Sequence, residues 1–198
     1  MPNKLKESFY TNPDVVQVAR DLIGCSLYTN IDGYCTGGII VETEAYNGRT
    51  DRACHAFPNK QTPRTSVMYK KGGVAYVYFV YGMHYLFNIV THQEGFADAV
   101  LIRAIKPIEG IDVMMLRRNK TKLSRELTGG PARLSQALGI NKSINTISLT
   151  ENVVWVEAPK NGFSVEIGVS KRIGVDYAGE DAHLPWRFYA IGSVFVSK

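Results

Sequence analysis

Residues 75–90, AYVYFVYGMHYLFNIV, place aromatic and β-branched side chains on two arms around one glycine. Such residues suit a pleated, half-buried surface, and Gly82 near the midpoint supplies the reversal, so the segment is predicted to be a β-hairpin. A lone hairpin is marginal in water, so the rest of the chain has to extend it into a sheet. With Gly82, Met83 and His84 as the loop, Tyr81 pairs with Tyr85 and Tyr78 with Asn88, which sets the one amide of LFNIV beside a tyrosine. Tyr76, Tyr78, Phe79, Tyr81, Tyr85 and Phe87 are more rings than one hairpin needs for packing. They are either core or stacking platforms, and Tyr81 and Met83 at the tip stand where a ring or thioether can wedge between base steps.

The remaining elements follow the same logic. Asn12, Pro13 and Asp14 ahead of VVQVARDLIG read as the cap and first turn of a helix over 13–23, with Val15, Val16, Ala19, Leu22 and Ile23 inward and Gly24 as its stop. SLYTN, a turn at IDGYC and GGIIVETEAY form a second hairpin, and VLIRAI a buried strand. A helix after Pro107 turns Ile108, Ile111, Met114 and Met115 inward and ends in the basic LRRNKTK. GGPARLSQALGI starts another, with backbone N–H groups at Gly129 and Gly130 free to hold an anion and Gly139 as stop. The tail, from NTISL through VVWVEAP and SVEIGV to RFYAIGSVFV, reads as short strands. Strands dominate and the helices do not alternate with them, so the fold class is α+β, in a single domain over 1–198.

Composition narrows the function. The 198 residues are 45% hydrophobic, ample for one core. No charged-then-apolar leader opens the chain and no apolar run approaches the ~20 residues of a membrane span, so an unexported, cytoplasmic protein with no membrane partner is expected. Cys25, Cys35 and Cys54 lack paired spacing, which argues against a disulfide framework or a zinc knuckle. Neither they nor His55, His84, His92 and His183 show ligand spacing, and no Gly-rich nucleotide loop occurs, so no metal and no cofactor is expected. Cys54 and His55 are chain neighbours that point apart, which removes a thiol with its base. The net charge of +5 is concentrated: residues 49–71 hold six basic side chains against one acid, and 103–133 hold eight against three. That is the footprint of a polyanion binder or of two solvated faces.

The chemistry gathers in VETEAYNGRTDRACHAF, residues 41–57. Strand alternation puts Glu42, Glu44 and Tyr46 on one face and Val41, Thr43 and Ala45 on the other. Paired acids on a strand are ordinarily solvated, but this strand runs into a basic, turn-rich loop, where side chains commonly converge on a site. At least one acid can face a pocket there. A nearby arginine keeps such a carboxylate ionised as a base, and Arg103, the one charge in AVLIRAI, is the candidate; a structural salt bridge is its other reading.

In chain order, VETEAY, CHAF, QTPRTSVMY, YVYFVYGMHYLFN, VLIRAIKP, RELTGGPARLSQALGINK and RIGVDYAGEDAHLPWRFY resemble the alkyladenine (3-methyladenine) DNA glycosylase family over residues 7–196. The resemblance implies a curved, mostly antiparallel sheet with several surrounding helices and a protruding β-hairpin. It implies a monofunctional DNA N-glycosylase of base excision repair, a monomer acting on double-stranded DNA that contains damaged purines. Such an enzyme flips alkylated or deaminated purines of the 3-methyladenine, 7-methylguanine, hypoxanthine and ethenoadenine class and hydrolyses the N-glycosidic bond. Residue by residue, Glu44 matches the general base and Arg103 the arginine that helps hold the attacking water and a neighbouring phosphate. Tyr46, His55 and Tyr78 match the pocket around the flipped base, and Asn88 the gate against the 2-amino group of guanine. Tyr81 matches the side chain inserted into the minor groove, with Met83 nearby, and Arg133 and Lys142 match parts of the DNA-backbone surface.

These roles are chemically coherent, because an anion beneath an oxocarbenium-like sugar both stabilises the cation and takes a proton from water. No lysine occupies a nucleophile position in the motifs, so no Schiff-base step is expected. His84 departs from the aromatic residue that many relatives carry after the methionine. Two other classes fit parts of the pattern: a non-catalytic nucleic-acid-binding module, and a small-nucleoside hydrolase.

Overall fold

The β-branched and aromatic runs pair as their composition requires. The computed structural model describes residues 3–159 and 164–197. A helical turn α1 (Glu7–Tyr10) and helix α2 (Val15–Asp21) lead into β1 (Ser26–Ile31) and the long β2 (Tyr34–Tyr46). The aromatic hairpin is β3 (Ala75–Val80) and β4 (His84–Thr91), followed by β5 (Asp98–Glu109) and helices α3 (Ile111–Arg118), α4 (Arg125–Thr128) and α5 (Pro131–Ala137). Strands β6 (Val154–Glu157), β7 (Ile167–Ser170) and β8 (Arg187–Ala190) complete the order. Among the described residues, eight strands form one curled antiparallel sheet in the order β3-β4-β5-β2-β1-β6, with β8 joined to β2 and β7 to β8. The class is α+β in one domain, as the sequence implies.

Strand β2 is the hub because it outruns each neighbour on one edge. There β1 covers Tyr34–Ile39 and β8 covers Glu42–Glu44, while β5 follows the other edge. Register shifts on both sides of Glu42 mark a bulge, which bends the strand where the two acids sit. Gly38 lets β5 close on β2: a Cβ there would lie 2.5 Å from the Lys106 carbonyl oxygen. Gly38→Ala is therefore expected to destabilise the fold by about 1–3 kcal/mol. Calorimetry should show a lowered Tm, and an unchanged Tm would contradict that close approach.

Val41 and Ala45 enter the main core with Val18 of α2, Leu22 just after it and Leu134 of α5, and Thr43 Oγ1 donates to the Ala19 carbonyl at 2.7 Å. Glu42, Glu44 and Tyr46 take the opposite face, as the alternation predicts. Among the described residues no helix is long and apolar enough to cross a membrane. All three cysteines are free, Cys25 and Cys54 buried and Cys35 exposed.

Several expectations shift. The first long helix begins at Val15, because Asp14 Oδ1 accepts from both the Val16 and Gln17 N–H groups and so acts as the cap in place of Asn12. The aromatic hairpin turns at Tyr81-Gly82-Met83, so Asn88 pairs with Tyr76 and not Tyr78. Tyr81 itself takes a left-handed backbone, φ 52°, next to Gly82 at φ 67°, which moves the turn one residue earlier. Ile108 is exposed and lies in β5, which runs on through Pro107; the proline is tolerated beside the register shift at Gly37 and Gly38. The N–H groups of Gly129 and Gly130 are not free, donating to the carbonyls of Arg125 and Thr128. NTISL forms no strand beyond a single bridge at Ser148, and RFYAIGSVFV is strand only over Arg187–Ala190.

Candidate active site

The polar face of β2, the β3–β4 hairpin, loop 47–56 and the segment around Ile173 meet at a cavity of about 650 Å³. Loop 47–56 is folded by its own short polar residues. Asn47 Oδ1 accepts from the Arg49 and Thr50 N–H groups, Asp51 Oδ1 from Ala53 N–H, and Asp98 on β5 holds Gly48 N–H and the Arg49 guanidinium. The loop thereby returns His55 to the cavity that Tyr46 also lines.

Glu44 has no exposed surface. Its Oε1 accepts from Ile173 N–H at 2.8 Å, and its Oε2 accepts from the Tyr46 hydroxyl at 2.7 Å and Arg103 Nη1 at 3.2 Å. Every neighbour donates. It sits directly behind Tyr46, Arg103 and Ile173, all three of which line the cavity. Glu42, equally buried, accepts from Arg103 Nε at 3.0 Å, Arg187 Nε at 2.7 Å, and both the N–H and the hydroxyl of Ser197 at 2.7 Å.

Two carboxylates thus face two guanidiniums, which balances the charge that burial penalises. For Glu42, burial pushes the carboxyl up, but Arg103's charge, the Ser197 bonds and the Arg187 bond outweigh it and leave it below the ordinary range. Its folded value lies under its unfolded one, so its contribution to stability is present above the unfolded value and lost as pH falls through the folded one. For Arg103, burial opposes the charge, yet Glu44 and Glu42 more than restore it.

The rings form the walls. Tyr76 and Tyr78 have centroids 5.3 Å apart, and the His55 imidazole stands edge-on to Tyr78 at 4.6 Å. Arg64 Nη2 lies 3.3 Å from His55 Nε2, and because a guanidinium can only donate, that nitrogen is the acceptor and Nδ1 carries the proton toward the Tyr76 hydroxyl at 3.0 Å. Crowding by the cleft, then the Arg64 charge, lower the His55 pKa to about 4, although the ring keeps one side open to solvent. Burial, then the Glu44 charge and hydrogen bond, hold the Tyr46 phenol well above its ordinary value, so it stays a donor.

Asn88 lines the cavity, its Nδ2 donating to the Tyr76 carbonyl at 3.1 Å. Tyr81, 88% exposed, reaches the rim, and Met83 is exposed beside it. Arg133 lines the rim, bonded through Nη1 to the Gly129 carbonyl, whereas Lys142 is exposed on a separate turn outside the lining.

Sequence reasoning missed a second buried ion pair. Arg172 grips Asp51 with both Nη groups, donates to the Ala45 and Asp181 carbonyls, and stacks its guanidinium 4.8 Å from the Tyr46 ring. It fixes the back of one wall and the segment whose N–H reaches Glu44. Arg103 stood out as a lone charge in an apolar strand; Arg172 sits among polar residues and gave no such signal. Arg187 and Ser197, which hold Glu42, were likewise unmarked.

The structure thus sets a buried carboxylate behind a cavity walled by rings, on one face of a curled sheet. Residues 8–194 match the family described as Methylpurine-DNA glycosylase. A protein of Chlamydia abortus named "Putative 3-methyladenine DNA glycosylase" is 48% identical over 185 residues, covering 93% of this chain and 96% of its own. Proteins of the same name from Clostridium acetobutylicum and Bacillus cereus are 44% and 42% identical, over 98% and 96% of this chain and 97% of each of theirs. The chain belongs to the methylpurine-DNA glycosylase family. It is a DNA-repair hydrolase that cleaves N-glycosyl bonds to remove damaged bases from DNA.

Proposed function

We propose that the chain works as a monomer on double-stranded DNA, turning a damaged purine nucleotide into the cavity and hydrolysing its N-glycosidic bond with water activated by Glu44. The observation that carries this reading is Glu44 itself, a carboxylate without exposed surface, ringed by donors and set behind the aromatic wall. Three bonds leave one of its roughly four lone-pair sites for a water. The same charge stabilises the oxocarbenium-like sugar, and Arg103 orients the carboxylate and helps hold the water near a phosphate.

The flipped base stacks between Tyr46 on one side and Tyr78 with His55 on the other. Asn88, tied to the Tyr76 carbonyl, stands against the 2-amino group of guanine. Tyr81 fills the gap left in the duplex with Met83 beside it; its left-handed backbone combined with near-complete exposure is strain kept at a working position. Arg133 and Lys142 meet the DNA backbone. Alkylated bases leave as neutral molecules, while hypoxanthine and ethenoadenine take a proton from solvent as they depart. The setting is the bacterial cytoplasm, where such DNA lies.

Duplexes bearing hypoxanthine, ethenoadenine, 3-methyladenine or 7-methylguanine test this reading. Abasic sites should accumulate without added metal or cofactor and without strand nicking, and intact glycosidic bonds in all four would refute it. A small-nucleoside hydrolase would be indifferent to salt, whereas this enzyme should lose lesion-duplex affinity steeply as salt rises. Tyr81→Ser should weaken lesion-duplex binding by about 1–3 kcal/mol, the worth of one stacked ring. Wild-type affinity in a fluorescence-anisotropy titration would rule out the wedge.

A further inference from the structure

Resting on that reading, we propose that Arg64 is a specificity-determining residue, whose guanidinium at the cavity edge biases the enzyme toward neutral damaged purines and against cationic ones. QTPRTSVMY carries Arg64, yet none of the roles above uses it. Its position is built. Thr65 is buried, its Oγ1 donates to the Lys60 carbonyl, and it accepts from Thr62 N–H at 2.9 Å, so the turn is tied down on both sides of Arg64. The side chain then lies with its guanidinium carbon 4.9 Å from the Tyr78 ring centroid and Nη2 3.3 Å from His55 Nε2. Those are the ring and the imidazole that a flipped base meets. Arg64 is exposed and has no carboxylate within salt-bridge distance among the described residues, so its charge is not cancelled locally.

Damaged purines divide by charge. Alkylation at N3 or N7 leaves the base cationic, whereas hypoxanthine and ethenoadenine are neutral with acceptors on their edges. A fixed guanidinium repels the first group and can donate to the second. It also fixes the imidazole: the groups facing His55 are the Tyr76 and Tyr78 phenols from β3 and Arg64 from the turn. Burial pushes both phenols up, Tyr76 to about 12, so both stay neutral, and after burial the Arg64 charge is what lowers the His55 pKa. Two unit charges about 6 Å apart near a protein surface, screened by solvent, correspond to about a tenfold effect on selectivity.

The test is the affinity of Glu44→Gln, which binds without turnover, for duplexes of one sequence bearing 7-methylguanine or hypoxanthine, alone and combined with Arg64→Gln or Arg64→Lys. The ratio of 7-methylguanine to hypoxanthine affinity should rise about tenfold on adding Arg64→Gln and by less on adding Arg64→Lys, since lysine keeps the charge but not the planar fork. Equal changes in both affinities, or none, would overturn the proposal. NMR titration of the His55 imidazole provides a second readout: protonation should move to higher pH in Arg64→Gln, and an unmoved titration would also count against it. If wild type releases neither base, the functional reading falls and this proposal with it. If wild type releases both and the ratio is constant across variants, only the proposal falls.

Discussion

Glu44→Gln should lower the single-turnover rate of base release roughly 10²- to 10⁴-fold, the range a positioned general base supplies. Lesion-duplex binding should persist, because the walls and the tip residue are untouched. The structure adds a second consequence. Ile173 N–H, the Tyr46 hydroxyl and Arg103 all donate to this side chain, so an amide must turn its own N–H₂ toward a donor wherever it sits. One buried bond lost in this way costs about 1–3 kcal/mol, so a modest fall in Tm should accompany the loss of turnover. Turnover within tenfold of wild type would dismiss Glu44 as the base.

Arg103→Met should produce the larger stability effect. The guanidinium is shared between Glu42 and Glu44, and its removal leaves two buried carboxylates with Arg187 as their one ion-pair partner among the described residues. Breaking one partner of a buried ionic network costs about 3–5 kcal/mol, since an uncompensated charge stays behind. For a domain of this size that corresponds to a fall in Tm on the order of 10 °C by calorimetry. Adding Glu42→Gln should recover part of it by removing the stranded charge. A single variant as stable as wild type, or a double variant less stable than the single, would contradict the shared-arginine arrangement.

Much of this architecture was legible because its signals are local. Period-two alternation put Glu42, Glu44 and Tyr46 on one face, and the lone charge in AVLIRAI pointed to Arg103, which the structure joins to both acids. What misled was also local. Gly82, Met83 and His84 make the loop that the sequence suggests, but Tyr81 adopts a positive φ, which a tyrosine rarely does, and the turn starts one residue earlier. The sequence predicts a helix directly after Pro107, but β5 carries the proline and runs on to Glu109, at an irregularity in the β2–β5 pairing. The long-range partners were out of reach for a different reason. Asp51 and Arg172 are 121 residues apart and Glu42 and Ser197 are 155 apart, and nothing in either neighbourhood marks them as halves of a buried contact.

The most direct measurement is a crystal structure of Glu44→Gln bound to a duplex containing one ethenoadenine. The lesion base should lie outside the helix between Tyr46 and the Tyr78–His55 pair, with Tyr81 in the vacated space and a water between residue 44 and the anomeric carbon. A base still stacked in the duplex, or lodged in the cavity with its sugar turned away from residue 44, would contradict the mechanism.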